Sequence, residues 1–193
     1  MMANDRLFVI TGGPGSGKTT LLLELEQRGF LCSQEVARQI IQEQVSTSGD
    51  GLPWANMLRY TQLMLDRSVA AYREHTPAPG IVFMDRGIPD AACYARLIGL
   101  PPFEDLERAC EAYRYNKMVF MGPPWKEIYA TDSERKQTYA EAVATYERWP
   151  RFIRNMAIGP SNCPGHLRYR ELSLSWHIFR PRFLRSKLTL GDD

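Results

Sequence analysis

Eight consecutive residues near the start of the chain have the types and spacing of a phosphate-binding loop. They read GGPGSGKT and satisfy the pattern G-x-x-x-x-G-K-[ST]. Glycines let the backbone curl around an anion at a helix N-terminus, and the lysine adds a positive charge beside the β- and γ-phosphates. The alternative is a glycine-rich turn without a ligand, against which stand the full pattern and its position between a predicted strand and a predicted helix. The motif predicts that a nucleoside triphosphate, ATP or GTP, is bound by Gly12, Gly13, Pro14, Gly15, Ser16, Gly17, Lys18, Thr19 and Thr20.

A carboxylate that follows a buried strand is the second component expected of such a site. Asp85 comes directly after the apolar run at 81–84, IVFM. We expect Thr19 and Asp85 to hold Mg²⁺, the hydroxyl directly and the carboxylate directly or through water. Arg86, the next residue, is expected to bind an anionic or sugar group of the substrate. The alternative for Asp85 is that it caps a helix that begins near Pro89.

Three further charged residues are candidates for acceptor binding and catalysis. Glu35 follows the second predicted strand, where a carboxylate can accept a proton from a substrate hydroxyl, and Arg38 lies one helical turn later. The alternative is an ion pair between them on a solvated helix. Arg135 opens a late predicted helix and is a candidate to stabilise charge on the transferring phosphoryl group. Its alternative is an ordinary surface arginine.

Short apolar segments alternate along the chain with segments of helical periodicity. The strand-like segments are 7–10, 30–32, 81–84 and 118–121. The predicted helices are 18–28, 36–45, 54–74, 89–98, 104–114 and 132–148. This alternation predicts an α/β fold with a parallel sheet, whose strand ends position the charged residues at one edge.

Composition excludes several classes of protein. The chain has 193 residues, of which 44 % are hydrophobic and 24 % charged, as in ordinary globular domains. It has no apolar run of the roughly 18 residues that a membrane span requires, so we expect no integral membrane protein. Its four cysteines lack disulfide-framework or zinc-ligand spacing, and no signal-peptide pattern precedes the first strand. These features favour a cytoplasmic protein.

Several segments together resemble a known family of single-domain P-loop proteins, labelled AAA-family ATPases. The resemblance covers 6 to about 148 and rests on VITGGPGSGKTTLLLELEQRGF, SQEVARQIIQEQ, VFMDRGIPDAACYARLIGLP and RYNKMVFMGPPWKEIYATDSERKQTYAEA. That family is similar to the ribosylnicotinamide kinase domain of the bacterial NAD regulator and to a eukaryotic GTP- and phosphoinositide-binding relative. No second-region-of-homology arginine or C-terminal helical lid domain is recognisable, so the pattern is closer to nucleoside and nucleotide kinases than to ring ATPases.

The resemblance implies a three-layer P-loop fold with five parallel strands, and a lid segment near 132–135. By the family pattern, Glu35 and Arg38 face the acceptor, while Asp85 and Arg86 face the metal and phosphates. We therefore expect Mg²⁺-dependent phosphoryl transfer from ATP or GTP to a small hydroxyl-bearing, nucleoside-like metabolite, whose identity stays open. The alternative is a nucleotide-dependent switch that hydrolyses slowly and recognises a protein or an anionic lipid.

The last part of the chain departs from this pattern. Residues 1–148 have a net charge of −3, whereas 149–193 carry +5 and show no clear periodicity. We divide the chain into a P-loop domain, 1–148, and an atypical basic segment, 149–193, that we expect to be a frameshift product or poorly ordered, leaving a sheet edge unpaired. The alternative is a genuine, lineage-specific basic tail. Resequencing through codon 149 tests this origin. The basic segment has no stacking platform or known motif, so a nucleic-acid partner is not favoured.

Overall fold

The fold is taken from a computed structural model of the chain. The structure describes residues 4–13, 15–101, 103–124, 126, 138–140, 142–144, 146–147 and, for the backbone, 168–171. Pro14 and Arg135, two of the predicted site residues, lie outside these ranges.

Five parallel strands form the central sheet of this described part. They are β1 (Leu7–Gly12), β2 (Leu31–Cys32), β3 (Val82–Asp85), β4 (Met118–Gly122) and β5 (Arg168–Glu171). Their spatial order is β2-β3-β1-β4-β5, with every neighbouring pair parallel. The α/β prediction is confirmed, and so is the five-stranded parallel sheet that the resemblance implies.

Strand register brings the carboxyl ends of the central strands together. Ile10 of β1 pairs with Asp85 of β3, and Gly12 at the end of β1 pairs with Gly122 of β4. Because parallel strands all end at the same edge, the loops that follow β1 and β3 start side by side. This register is what places the phosphate loop next to the predicted metal-binding carboxylate.

Helices follow the strands much as the periodicity predicts. They are α1 (Lys18–Gln27), α2 (Val36–Ser46), α3 (Met57–His75), α4 (Ile88–Leu97) and α5 (Glu104–Ala112). The third helix begins later than predicted, because Asn56 caps it by accepting a hydrogen bond from the Arg59 N–H at 3.0 Å. Within the predicted helix 132–148, the residues described from 139 onward are helical, and the residues before 138 lie outside the description.

Apolar side chains cover both faces of the sheet, which gives the three layers of the fold. On one face, Leu22 and Leu25 of α1 pack against Ile10, Phe83 and Phe120. A larger cluster on the other face joins the sheet to α3, α4 and α5. The alternation of side chains along each strand explains why neighbouring residues serve opposite layers.

The strand β5 corrects the expectation that residues 149–193 contribute no strand and leave a sheet edge unpaired. Arg168–Glu171, with the sequence RYRE, pairs in parallel with β4. An edge strand needs one row of backbone hydrogen bonds and tolerates charged residues, so this segment has no apolar run by which to be recognised. The origin of the basic segment stays a prediction, since its other residues lie outside the described ranges.

Among the residues described, no helix combines the length and apolar character needed to cross a membrane. The same part of the chain holds no cluster of three or more histidine, cysteine, aspartate or glutamate side chains suited to a metal ion.

Candidate active site

The loop between β1 and α1 is shaped by glycines in conformations that other residues rarely adopt. Gly12 has a φ of +137°, and a Cβ atom at this position would lie 2.4 Å from the carbonyl oxygen of Gly122. Gly15 and Gly17 have φ values of 72° and 76°. The close approach of β1 to β4 therefore requires glycine at position 12, and the turn into the helix favours it at 15 and 17.

Lys18 is buried at the first position of α1, and its ammonium group is held by the loop itself. Nζ donates to the carbonyl oxygens of Gly12 and Gly13, each at 3.1 Å, and to Ser16 Oγ at 3.4 Å. Burial lowers the pKa of Lys18 from 10.5 to about 8, and the charge of Arg86 acts in the same direction. Lys18 thus keeps most of its positive charge at neutral pH and holds it at the mouth of the loop.

The N-terminus of α1 is open to a ligand. Its cap residue, Gly17, offers no side-chain cap, and no acidic residue lies in the first turn. Thr19 and Thr20 are solvent-exposed on that turn. An uncapped helix N-terminus beside a lysine is suited to bind an anion, as the sequence motif predicts.

Asp85 is a buried carboxylate at the end of β3. Its backbone N–H donates to Ser33 Oγ at 2.9 Å, but its own Oδ1 is buried without a hydrogen-bond partner in the described part of the chain. Burial raises the pKa of Asp85 from 3.8 to about 6, whereas the nearby Lys18 lowers it. A buried carboxylate oxygen with no donor is suited to a cation, so this residue fits the Mg²⁺ ligand that the sequence predicts.

Arg86, the next residue, has a left-handed backbone and a side chain shared between two carboxylates. Its φ is 70°, which is uncommon for a residue other than glycine. Nε lies 3.4 Å from Glu35 Oε1, and Nη1 lies 3.3 Å from Asp90 Oδ1. Although burial acts to lower the pKa of Arg86, the three carboxylates around it, Glu35, Asp90 and Asp85, raise it overall.

Glu35 and Arg38 both lie at the start of α2, at the same edge of the sheet. Glu35 is the residue that precedes the helix, and its side chain is 21 % exposed. Arg38 lies in the first turn and is half-buried. The structure therefore pairs Glu35 with Arg86, a contact between residues 51 positions apart that the sequence did not predict.

Three residues that the sequence analysis did not select complete this region. Asp90 accepts hydrogen bonds from Thr11 Oγ1 at 2.6 Å and from the Gly87 N–H at 2.9 Å. The Tyr115 hydroxyl accepts from the Ile88 N–H at 3.3 Å. An aspartate just after Pro89 reads as an ordinary helix-start residue, and nothing local to Thr11 or Tyr115 signals these contacts.

Tyr60 of α3 also lies near the charged group. It is buried and forms an edge-to-face contact with Tyr94, with ring centroids 5.4 Å apart. Burial raises its pKa, and the charges that act on its hydroxyl include those of Arg86 and Glu35. The aromatic pair therefore lies near the ion pair between Glu35 and Arg86.

The fold and this arrangement together define the class of protein. A parallel sheet whose central strand runs into a glycine-rich loop, with a buried lysine after it and an aspartate at the end of the neighbouring strand, is that of a P-loop NTPase with a nucleotide-kinase-like fold. The chain belongs to the AAA domain family, whose sequence profile matches residues 7–167. A search of curated proteins found no match.

Solved structures with the same fold include two whose bound molecules are known. One is a NadR protein in complex with NR, 24 % identical with a TM-score of 0.57 over 80 % of this chain. The chain spans 43 % of the length of that NadR protein. The other is deoxyadenosine kinase from M. mycoides with dCMP and a flexible dCDP bound as products. It is 11 % identical, with a TM-score of 0.58 over 94 % of this chain and 98 % of its own.

Proposed function

We propose that this protein transfers the γ-phosphoryl group of ATP or GTP, with Mg²⁺, to a hydroxyl of a small nucleoside-like metabolite. The observation that carries the proposal is the position of Glu35. This carboxylate is held by Arg86 at the edge of the sheet where the phosphate loop begins, and its charge acts on Lys18. A simple nucleotide-binding loop requires no carboxylate there, whereas transfer to a hydroxyl requires a proton acceptor.

The loop residues and Lys18 bind the phosphates in this proposal. Lys18 exchanges its contacts with the loop carbonyls for the β- and γ-phosphate oxygens, which are stronger partners for an ammonium group. Thr19 and Asp85 are the residues that would hold Mg²⁺, and the unpartnered Oδ1 of Asp85 supports that assignment. When bound, Mg²⁺ neutralises charge on the triphosphate.

Glu35 acts as the acceptor base, and Arg86 fixes its orientation. Arg86 already faces Glu35 and Asp90, so little of its charge is left for a phosphate on the acceptor. The pair therefore favours an acceptor that is neutral at this end. Arg38 would bind a polar group of that acceptor, and Arg135 would stabilise charge on the transferring phosphoryl.

The bound molecules of the two solved structures support a nucleoside-like acceptor. The deoxyadenosine kinase carries dCMP as a product, and the NadR protein is in complex with NR. Both chains share the fold of this one at low identity, so their ligands indicate a class of compound to test first.

The test is to incubate the purified chain with Mg²⁺, γ-labelled ATP or GTP, and a panel of nucleosides and other hydroxyl metabolites. We expect label to appear on one acceptor, and Lys18→Ala to abolish that transfer. Lys117→Ala, at an exposed position outside the site, is the matched control and should transfer label as the wild type does. Label released only to water, with or without acceptors, would contradict the kinase proposal and favour a nucleotide-dependent switch.

A further inference from the structure

Asp90 is a buried carboxylate that connects three parts of the site. Its side chain is 4 % exposed, and both of its oxygens have partners. Oδ1 accepts from Thr11 Oγ1 at 2.6 Å and lies 3.3 Å from Arg86 Nη1, while Oδ2 accepts from the Gly87 N–H at 2.9 Å. Thr11 is the residue before the phosphate loop, so one carboxylate contacts the end of β1, the start of α4 and the arginine beside Glu35.

Arg86 requires such support because of its backbone. Its φ of 70° is a conformation that residues with a side chain rarely adopt, and it persists only where the surroundings enforce it. The Arg86 N–H donates to the Ile10 carbonyl oxygen at 2.9 Å, which ties the backbone to β1. The guanidinium group is then fixed between two carboxylates, Glu35 on one side and Asp90 on the other.

An acidic residue in the first turn of a helix commonly does no more than stabilise that helix. Asp105 of α5 shows the ordinary case, since it is exposed and pairs with Arg108 three residues later at 2.7 Å. In Asp90, the helix-capping contact uses Oδ2 alone. Oδ1 is directed to Thr11 and Arg86, neither of which belongs to α4.

We propose that Asp90 is a positioning residue, which holds the Arg86 guanidinium against Glu35 and couples that pair, through Thr11, to the strand that leads into the phosphate loop. Its effect on turnover rests on the kinase activity proposed above. Both oxygens of Asp90 have partners within the chain, so this role includes no contact with the acceptor or the phosphates. It acts by keeping the charged groups in the geometry that transfer needs.

The first test compares Asp90→Asn with Asp105→Asn, a matched change at an exposed first-turn aspartate. The amide oxygen of the asparagine can still cap α4, but the charge that holds Arg86 is removed. We expect Asp90→Asn to lower kcat about 10- to 100-fold while the Kd for Mg-nucleotide stays within about twofold. Asp105→Asn should change neither. Equal losses in kcat and nucleotide affinity, or no loss at all, would overturn the proposal.

A second variant covers the case in which Asp90→Asn does not fold. Thr11→Val removes the hydroxyl that Asp90 accepts from and preserves the shape of the side chain. We expect about a fivefold loss in kcat, again with unchanged nucleotide affinity. Wild-type turnover in a folded Thr11→Val protein contradicts the coupling.

A third measurement separates this proposal from the proposed function. The Arg86 Nε–H signal, assigned in ¹⁵N-arginine spectra by its loss in Arg86→Lys, reports the order of the guanidinium without any substrate. We expect its hydrogen exchange to accelerate at least about tenfold in Asp90→Asn and to stay unchanged in Asp105→Asn. If the wild type phosphorylates no acceptor, the proposed function fails, and this signal still decides the role of Asp90: unchanged exchange in Asp90→Asn overturns it.

Discussion

Two strand–turn–helix junctions lie side by side at the edge of the sheet, and they treat the N-terminus of their helix in opposite ways. At the open junction, between β1 and α1, the turn is built from glycines, and the helix has no side-chain cap and no acid in its first turn. At the closed junction, between β3 and α4, the turn contains Arg86 with positive φ, and Asp90 at the third helical position caps the helix from within.

The difference shows how one supersecondary unit serves two purposes. At the first junction the backbone N–H groups are left for an external anion, and the nearby charge is positive. At the second junction the chain supplies its own carboxylate, so the helix N-terminus is capped from within, and in the proposed function the charged side chains bind the substrate instead. Four experiments separate the two, in order of decreasing expected effect.

The largest effect is expected at the glycine that begins the open junction. Gly12→Ala places a Cβ atom 2.4 Å from the Gly122 carbonyl oxygen in a backbone with positive φ, and should destabilise the fold by about 3–5 kcal/mol. Denaturant unfolding measures this change. Gly29 also has positive φ, but a Cβ atom there would meet no other atom within 4 Å. Gly29→Ala should therefore lower the free energy of unfolding by only about 1–2 kcal/mol. Equal losses in the two variants would show that the close contact with β4 is unimportant.

The second effect concerns the buried carboxylate of the closed junction and depends on pH. The pKa of Asp85 is raised in the folded chain from 3.8 to about 6, so the unfolded state loses its proton first as pH rises. The contribution of the Asp85 carboxyl group to the free energy of unfolding therefore falls as the pH rises from about 4 to about 6. In metal-free buffer above pH 6, Asp85→Asn should be about 1–3 kcal/mol more stable than wild type, and the gain should vanish below pH 4. A gain that does not depend on pH would contradict this origin.

The third experiment makes the open junction resemble the closed one. Thr20 is the third residue of α1 and is exposed, and Asp90 is the third residue of α4. Thr20→Asp should stabilise the free chain by about 0.5–1 kcal/mol through the helix dipole. It should weaken nucleotide binding about tenfold, because the carboxylate lies beside the phosphates. The uncharged Thr20→Asn is the control. Denaturant unfolding measures the stability of the two variants, and titration with a fluorescent nucleotide measures their affinity.

The smallest effect comes from the backbone of Arg86. Both Arg86→Gly and Arg86→Ala remove the guanidinium and its two ion pairs, but only alanine retains the cost of a positive φ. The Arg86→Gly variant should therefore be more stable than Arg86→Ala by about 0.5–1 kcal/mol. This difference already includes the larger conformational entropy that glycine gives to the unfolded state. Equilibrium unfolding of the two variants measures the difference, and a more stable alanine variant would argue against strain at this residue.

The open junction was predictable from sequence because everything that defines it is local. The loop, the lysine and the flanking strand and helix lie within about 20 consecutive residues, and the apolar run of β1 marks its own boundaries. Asp85 was predictable for the same reason, since it directly follows such a run. Its lack of a hydrogen-bond donor appears only once the neighbouring strands are in place.

The closed junction was only partly predictable, because its contacts join distant residues. Thr11 and Asp90 are 79 positions apart, and Glu35 and Arg86 are 51 apart. No local pattern signals a left-handed arginine, because the conformation is imposed by contacts rather than preferred by the residue. The strand β5 escaped prediction for another reason: its sequence, RYRE, has none of the apolar character that marks a buried strand.

The order of the strands has a consequence for how the protein is made. Leu7 of β1 pairs with Val82 of β3, and Val9 pairs with Val119 of β4. The central strand β1 is therefore far in sequence from both of the strands that it pairs with. At about 5–20 residues per second, a ribosome needs roughly 4–15 s to add the 75 residues that separate β1 from its first partner. During that time the apolar residues of β1 are without their strand partners, so among the described strands β1 stays unpaired for the longest stretch of synthesis.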